Sequence, residues 1–180
     1  MAIKFGLTQG SIDVNLSSFI NSLATFAYLM HFSLRDLEKA FILYSLTLTT
    51  GPNNLPQSPY SFYLAYVISL KIKHPDLFLM LIKESVEEGH KECAKFIERL
   101  ITENSLKIPI LSTIVAFHNA YVGEVNLQNL KKNGANNIPN SDQQWVNLQQ
   151  YLNQNKIPLR FEELKTLFPN LLKQIDLSID

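Results

Sequence analysis

Cysteine is nearly absent: the chain of 180 residues has one, Cys93. A single thiol excludes an intrachain disulfide, and with it the small bridge-stapled scaffolds of secreted proteins. Glycine is scarce too, with six in all. No two of them stand in the G-x-x-x-x-G-K spacing whose backbone N–H groups cradle a nucleotide's phosphates, so there is no phosphate loop of that type. Also missing are a G-x-S-x-G nucleophile turn, an H-E-x-x-H helix and paired cysteines for zinc. Neither sign of charge is in excess, with 16 Lys+Arg against 16 Asp+Glu. This balance argues against a nucleic-acid grip, and Lys71, Lys73 and the Lys131–Lys132 pair are too scattered to restore one.

Long hydrophobic runs are lacking as well. Val14–Leu34 carries no formal charge but is diluted by Asn15, Ser17, Ser18, Asn21, Ser22 and His31. Ala40–Leu70 is also uncharged, and Gly51–Pro59 breaks it into pieces shorter than the ~20 residues of a membrane-spanning helix. The start, MAIKFGLTQG, has no secretory-signal pattern. A cytoplasmic protein without a membrane span is the expectation.

What is present is apolar and helical. Hydrophobic residues make up 46% and aromatics 11%, enough for one folded domain and too much for a disordered chain. Phe19, Leu23, Phe26 and Met30 mark one face of a helix over about 17–30. Ser33 reads as an N-cap with Asp36 in the first turn, opening a helix over 34–48. Its apolar positions Leu34, Leu37, Phe41, Tyr44 and Leu48, with Ile42, Leu43 and Leu46, predict burial on most sides. Ser58-Pro59 and His74-Pro75-Asp76 read as two further helix starts, for 60–71 and 77–86. Gly89 is expected to separate or kink, ahead of an amphipathic helix over 90–102. On that helix Cys93, Phe96, Ile97, Leu100 and Ile101 face inward, with Lys91, Glu92, Lys95, Glu98 and Arg99 outward. Pro109 opens an uncharged helix to about 122.

Residues 126–155 change character, half of them being Asn or Gln. Ser141 and Gln144 form a capping-box pattern for a helix to 153, and helices over 159–168 and 169–177 close the chain. Ile3–Leu7 is the one strand candidate. The fold class expected is all-α, a compact single-domain bundle of about eight or nine helices. Its apolar helical core region is 1–125, and 126–180 is an Asn/Gln-rich helical extension of the same domain.

The histidines point to structure more than to chemistry. His90 and Cys93 are one helical turn apart, but with no third or fourth ligand in sight they read as a helix start and a core thiol, and no metal is expected. His118, in an uncharged helix, reads as a hydrogen-bonded core histidine. His31 falls in a bend and His74 before a proline. Glu84, Glu87, Glu88 and Glu92 interleave with Lys83, Lys91 and Lys95 as a solvated, ion-paired face.

Charge is distributed unevenly. Residues 1–70 hold six charged side chains, Lys4, Asp13, Arg35, Asp36, Glu38 and Lys39, against 26 in 71–180. Four of the six belong to His31-Phe32-Ser33-Leu34-Arg35-Asp36-Leu37-Glu38-Lys39. This segment resembles the one in AAA-type and related P-loop ATPases where an arginine near a helix start precedes acid-Leu-Glu. With FSLRDLEKAFILYSLTLTT, a proline-rich break, and YSFYLAYVISLKIKHPDLFLMLIKES, residues 19–86 look like the C-terminal helical region of KAP-family P-loop NTPases. The resemblance implies a lid-like helical module with Arg35 as a nucleotide-sensing residue, Asp36 and Glu38 supporting the helix end. A guanidinium is always charged and forked, which suits a terminal phosphate.

The phosphate loop and the strand with acidic metal-binding residues are missing. ATP would therefore be reached only through a missing or partner ATPase core, and hydrolysis by this chain alone is not expected. The uncharged front fits a surface laid against a protein partner, a missing ATPase domain or a second copy. The alternatives are a stand-alone helical interaction protein of the immunity or adaptor kind, and a small membrane-associated helical protein.

Overall fold

The computed structural model describes residues 9–50, 61–82, 86–104, 109–132, 150, 169–173 and 175–176. Among them the chain is helical between turns, with no strand, and forms seven helices against the eight or nine expected. Six are α1 (Gln9–Leu29), α2 (Leu34–Thr50), α3 (Ser61–Lys73), α4 (Pro75–Ile82), α5 (Val86–Glu103) and α6 (Pro109–Lys132). The seventh, α7, is helical at 169–173 and 175–176. The strand candidate Ile3–Leu7, the cap at Ser58-Pro59, the Ser141–Gln144 capping box and the helix over 159–168 lie outside the described residues.

Where composition leads to one bundle, the chain divides into two compact units, Met1–Phe78 with Glu162–Asp180 and Leu79–Phe161. Each has its own apolar interior.

The first unit is built around α3. Its sequence SFYLAYVISL has no polar face, and every residue from Ser61 to Leu70 is buried, as a helix apolar all round must be. Both α1 and α2 pack on it. From α1, Phe19, Leu23, Phe26 and Met30 point inward as the periodicity predicts. Phe19 stacks on Tyr44 at 4.0 Å between ring centres, and Phe26 meets Tyr66 at 5.7 Å. At the C-terminal end of α3, the Lys71 ammonium donates to the carbonyls of Ile175 and Asp176 in α7 and lies 5.3 Å from the centre of the Phe78 ring.

The burial of α2 corrects the sequence expectation. Leu34 is 75% exposed, Ile42 59% and Phe41 40%, so this helix is not covered on most sides. The buried stripe is Ala40, Leu43, Tyr44 and Thr47, the i, i+3, i+4, i+7 set of one helical face. When nearly every position is apolar, size decides the phase. Ala40 is small enough for close approach, and Thr47 satisfies its hydroxyl on the Leu43 carbonyl at 2.7 Å.

In the second unit α5 packs along α6. Cys93, Phe96, Ile97 and Leu100 are buried and Lys95, Glu98 and Arg99 are exposed, as the amphipathic pattern predicts. Gly89 does not separate two helices; it lies inside α5, which begins at Val86. A Cβ there would stand 2.6 Å from the carbonyl oxygen of Met80. The glycine is a contact point with α4, where a side chain would collide with backbone. Its partner α6 also runs past its expected end near 122 to Lys132, because Gly123 is accommodated and no proline follows until 139.

Candidate functional site

The sequence-predicted site residues sit at the corner between α1 and α2. The corner is made by the end of α1, where the Phe32 N–H donates to the Ala27 carbonyl at 2.9 Å and the His31 N–H to the Tyr28 carbonyl at 3.4 Å. These two bonds make a Schellman motif, which requires a left-handed residue just past the helix. His31 fills that place with φ of 51°.

Ser33 then starts α2. Its backbone N–H and its hydroxyl both donate to the Asp36 carboxylate, at 2.9 and 2.8 Å, while the Asp36 N–H donates back to the Ser33 hydroxyl at 3.2 Å. This is a capping box, with Asp in the place more often held by Glu. From α3, the Lys73 ammonium donates to the same carboxylate at 3.3 Å and to the His31 carbonyl at 3.2 Å, and stands 5.8 Å from the centre of the Phe32 ring. The two Ser33 hydrogen bonds, and after them Lys73, hold the Asp36 carboxyl below its usual range.

Arg35 is exposed on the first turn of α2. It makes no ion pair with its neighbour Asp36, which turns to Ser33 and Lys73, and Arg35 has no ion pair among the described residues. Glu38 is exposed one turn further along. Asp36 therefore anchors the helix start and leaves the Arg35 guanidinium open to solvent, whereas Glu38 is not drawn into the network.

Two groupings were not assembled from the sequence, although both histidines of the second were considered singly there. The first is a stripe on α1 formed by Leu16 (36% exposed), Ile20 (41%), Ala24 and Tyr28 (71%), all outward-facing at four-residue intervals. It was legible as the apolar remainder once Phe19, Leu23 and Phe26 were assigned inward. The second lies in the other unit. His90 and His118 are both buried, their Nδ1 atoms 2.8 Å apart in a hydrogen bond between α5 and α6. His118 is thus the bonded core histidine that its helix implied. His90 is not a helix start: it lies within α5 on the buried side, in phase with Cys93 and Ile97, and that phase was the available signal. Its ring stacks on Tyr121 at 4.0 Å and an interplanar angle of 4°.

Among the described residues no group of three or more His, Cys, Asp or Glu could hold a metal, and no helix is long and apolar enough to cross a membrane. No family model matches the chain, and no curated protein or solved structure shows significant similarity to it.

Proposed function

We propose that this chain is a helical accessory module that acts by lying against a protein partner, with the α1–α2 side of its first unit as the contact face. In its specific form the module is lid-like, resembling the C-terminal part of a KAP-like P-loop NTPase. It does not hydrolyse ATP alone, and it presents Arg35 to phosphates held by a separate cytoplasmic ATPase core. The observation that carries the reading is the pairing of an outward apolar stripe, Leu16, Ile20, Ala24 and Tyr28, with an uncharged segment around it. Grouped apolar exposure of this kind marks an interaction site more often than scattered single residues do. The open guanidinium of Arg35, beside the equally exposed Leu34, adds the chemistry a phosphate-facing lid needs.

A photo-crosslinking residue in place of Tyr28, used in the native host, tests the contact, and mass spectrometry identifies what is attached. A P-loop ATPase supports the lid-like form. In that case Arg35→Ala should lower the partner's ATP turnover by about 10³-fold or more, the range for a phosphate-facing arginine. Unchanged turnover would remove Arg35 from the reaction. A single recurring protein of another kind supports the second reading, a stand-alone adaptor or immunity protein, which the stripe favours because it does not depend on Arg35. No crosslink at Tyr28 above that at a control position on α5 such as Glu98, exposed in the other unit, counts against both.

A further inference from the structure

The outward side of α1 carries no charge. Residues 14–34 contain no Asp, Glu, Lys or Arg, and between Leu16 and Tyr28 the exposed positions are Leu16, Ser17, Ile20, Asn21, Ala24 and Tyr28. A charged side chain laid on this face would lose water without gaining a counter-charge. What meets it must therefore be an uncharged and largely apolar surface, and the same face of another copy is such a surface.

The order of sizes along the face gives that match a register. Leu16, Ile20, Ala24 and Tyr28 form one row at four-residue spacing, the kind of ridge that interdigitates when two helices cross at about −50°. Ala24, the smallest of the row, stands between Ile20 and Tyr28. The next row around the helix is Ser17, Asn21 and Thr25, all short. The Thr25 hydroxyl donates back to the Asn21 carbonyl at 3.2 Å, so it does not need a bond across a contact. A small residue with a large one a turn away on each side lets two copies of the row approach closely at the small residue. An antiparallel crossing there fills both sides equally, each with one Ile and one Tyr. A parallel crossing would put two Tyr on one side and two Ile on the other. The antiparallel arrangement is also reciprocal, residue 20 meeting 28 and 28 meeting 20, as a two-fold axis requires.

We propose that α1 pairs with α1 of a second copy of this chain, crossing at Ala24 about a two-fold axis, with Ile20 of each copy against Tyr28 of the other. The proposal rests on the reading of this side as a contact face and names what covers it. Tyr28 is 71% exposed, Ile20 41% and Leu16 36%. With the short residues beside them each copy offers roughly 400–500 Å², and roughly 800–1,000 Å² for the pair, the size of a weak, reversible association. The pairing uses α1 alone and no residue of α2, where Arg35 lies.

Sedimentation of the purified full chain between about 1 μM and 1 mM measures the pairing. The expected result is a mass rising with concentration toward twice that of one chain. A mass that stays at one chain throughout overturns the proposal, whether another part of the chain or a different protein covers the stripe. In that event a Tyr28 crosslink to a different protein keeps the contact face, and its absence removes the face as well. The register has its own test. Ile20→Asp and Tyr28→Lys should each weaken pairing by about 10-fold or more. An equimolar mixture of the two should recover most of it, because Asp of one copy meets Lys of the other while one Ile20–Tyr28 contact is kept. A mixture no better than the separate variants overturns the antiparallel crossing. Ala24→Cys, with the buried Cys93 as background, should give a disulfide-linked dimer under mild oxidation faster than Lys39→Cys, which is exposed on α2. The bond needs Cβ atoms about 4 Å apart, which a crossing at position 24 supplies. Equal rates overturn that crossing. If a variant does not fold, sedimentation of the wild type still decides.

Discussion

Two backbone positions illustrate how single residues set this fold. At Gly89 two effects oppose each other. Alanine would gain about 1 kcal/mol of helix propensity in the interior of α5. Its Cβ, however, would lie 2.6 Å from the Met80 carbonyl oxygen and 2.7 Å from the carbonyl carbon, atoms that cannot swing aside, and overpacking of this sort costs about 1–3 kcal/mol. Gly89→Ala should therefore lower stability by up to about 2 kcal/mol, read as a reduced urea midpoint. A midpoint at or above that of the wild type would mean that α4 and α5 do not approach so closely. His31 presents the opposite case. Its φ of 51° is tolerated by histidine but natural to glycine. Relief of that strain exceeds the entropy glycine adds to the unfolded chain, so His31→Gly should stabilise by about 0.5–1 kcal/mol, whereas a β-branched valine there should destabilise. The same denaturation series measures both.

For a helix, the start and the inward face obey different rules, and they were unequally readable. The start of α2 is local chemistry: Ser33 and Asp36 bond each other reciprocally across one turn. Ser33→Ala should remove about 1 kcal/mol, the ordinary cost of losing an N-cap, measured by thermal unfolding. Because these bonds hold the Asp36 carboxyl below its usual 3.8, the unfolded chain binds the proton more readily. The stabilisation is present above about pH 4 and is lost as pH falls through the lowered value. Asp36→Asn should flatten the unfolding midpoint below pH 4. Such signals, caps and prolines at Ser33 and Pro75, were legible because three or four residues carry them. The face of α1 was legible too, since polar residues separate its apolar ones. The face of α2 was not, because Leu34, Phe41 and Ile42 are as apolar as the residues that are buried, and only α3 decides which stripe is covered. The corner at Arg35 was visible as a motif, but the lysine that takes Asp36 from it lies 37 residues away. The histidine bridge joins positions 28 apart, and no local pattern records such a meeting.

Across the whole molecule, the distribution of charge and the distribution of exposed apolar surface point to the same region. The first 70 residues have six charged side chains, and among the described residues six of the seven large exposed hydrophobic ones, Leu16, Ile20, Tyr28, Leu34, Phe41 and Ile42, also fall there. If these side chains serve a partner and not the fold, neighbouring substitutions should behave oppositely. Phe26 is fully buried and Tyr28, two residues on, is 71% exposed. Phe26→Ala should cost about 3–5 kcal/mol through the cavity it leaves. The double variant Ile20→Asp/Tyr28→Lys should leave stability within about 0.5 kcal/mol per site, as surface changes usually do. It should also lower the binding of a hydrophobic dye such as ANS at neutral pH, because the new charges interrupt the stripe. A double variant that unfolds would place the stripe inside the fold and remove the docking face. One that folds but binds dye as the wild type does would locate the open apolar surface elsewhere. The combination expected here, an intact fold with reduced dye binding and no crosslink from position 28, would tie the uncharged front to a contact the chain does not make with itself.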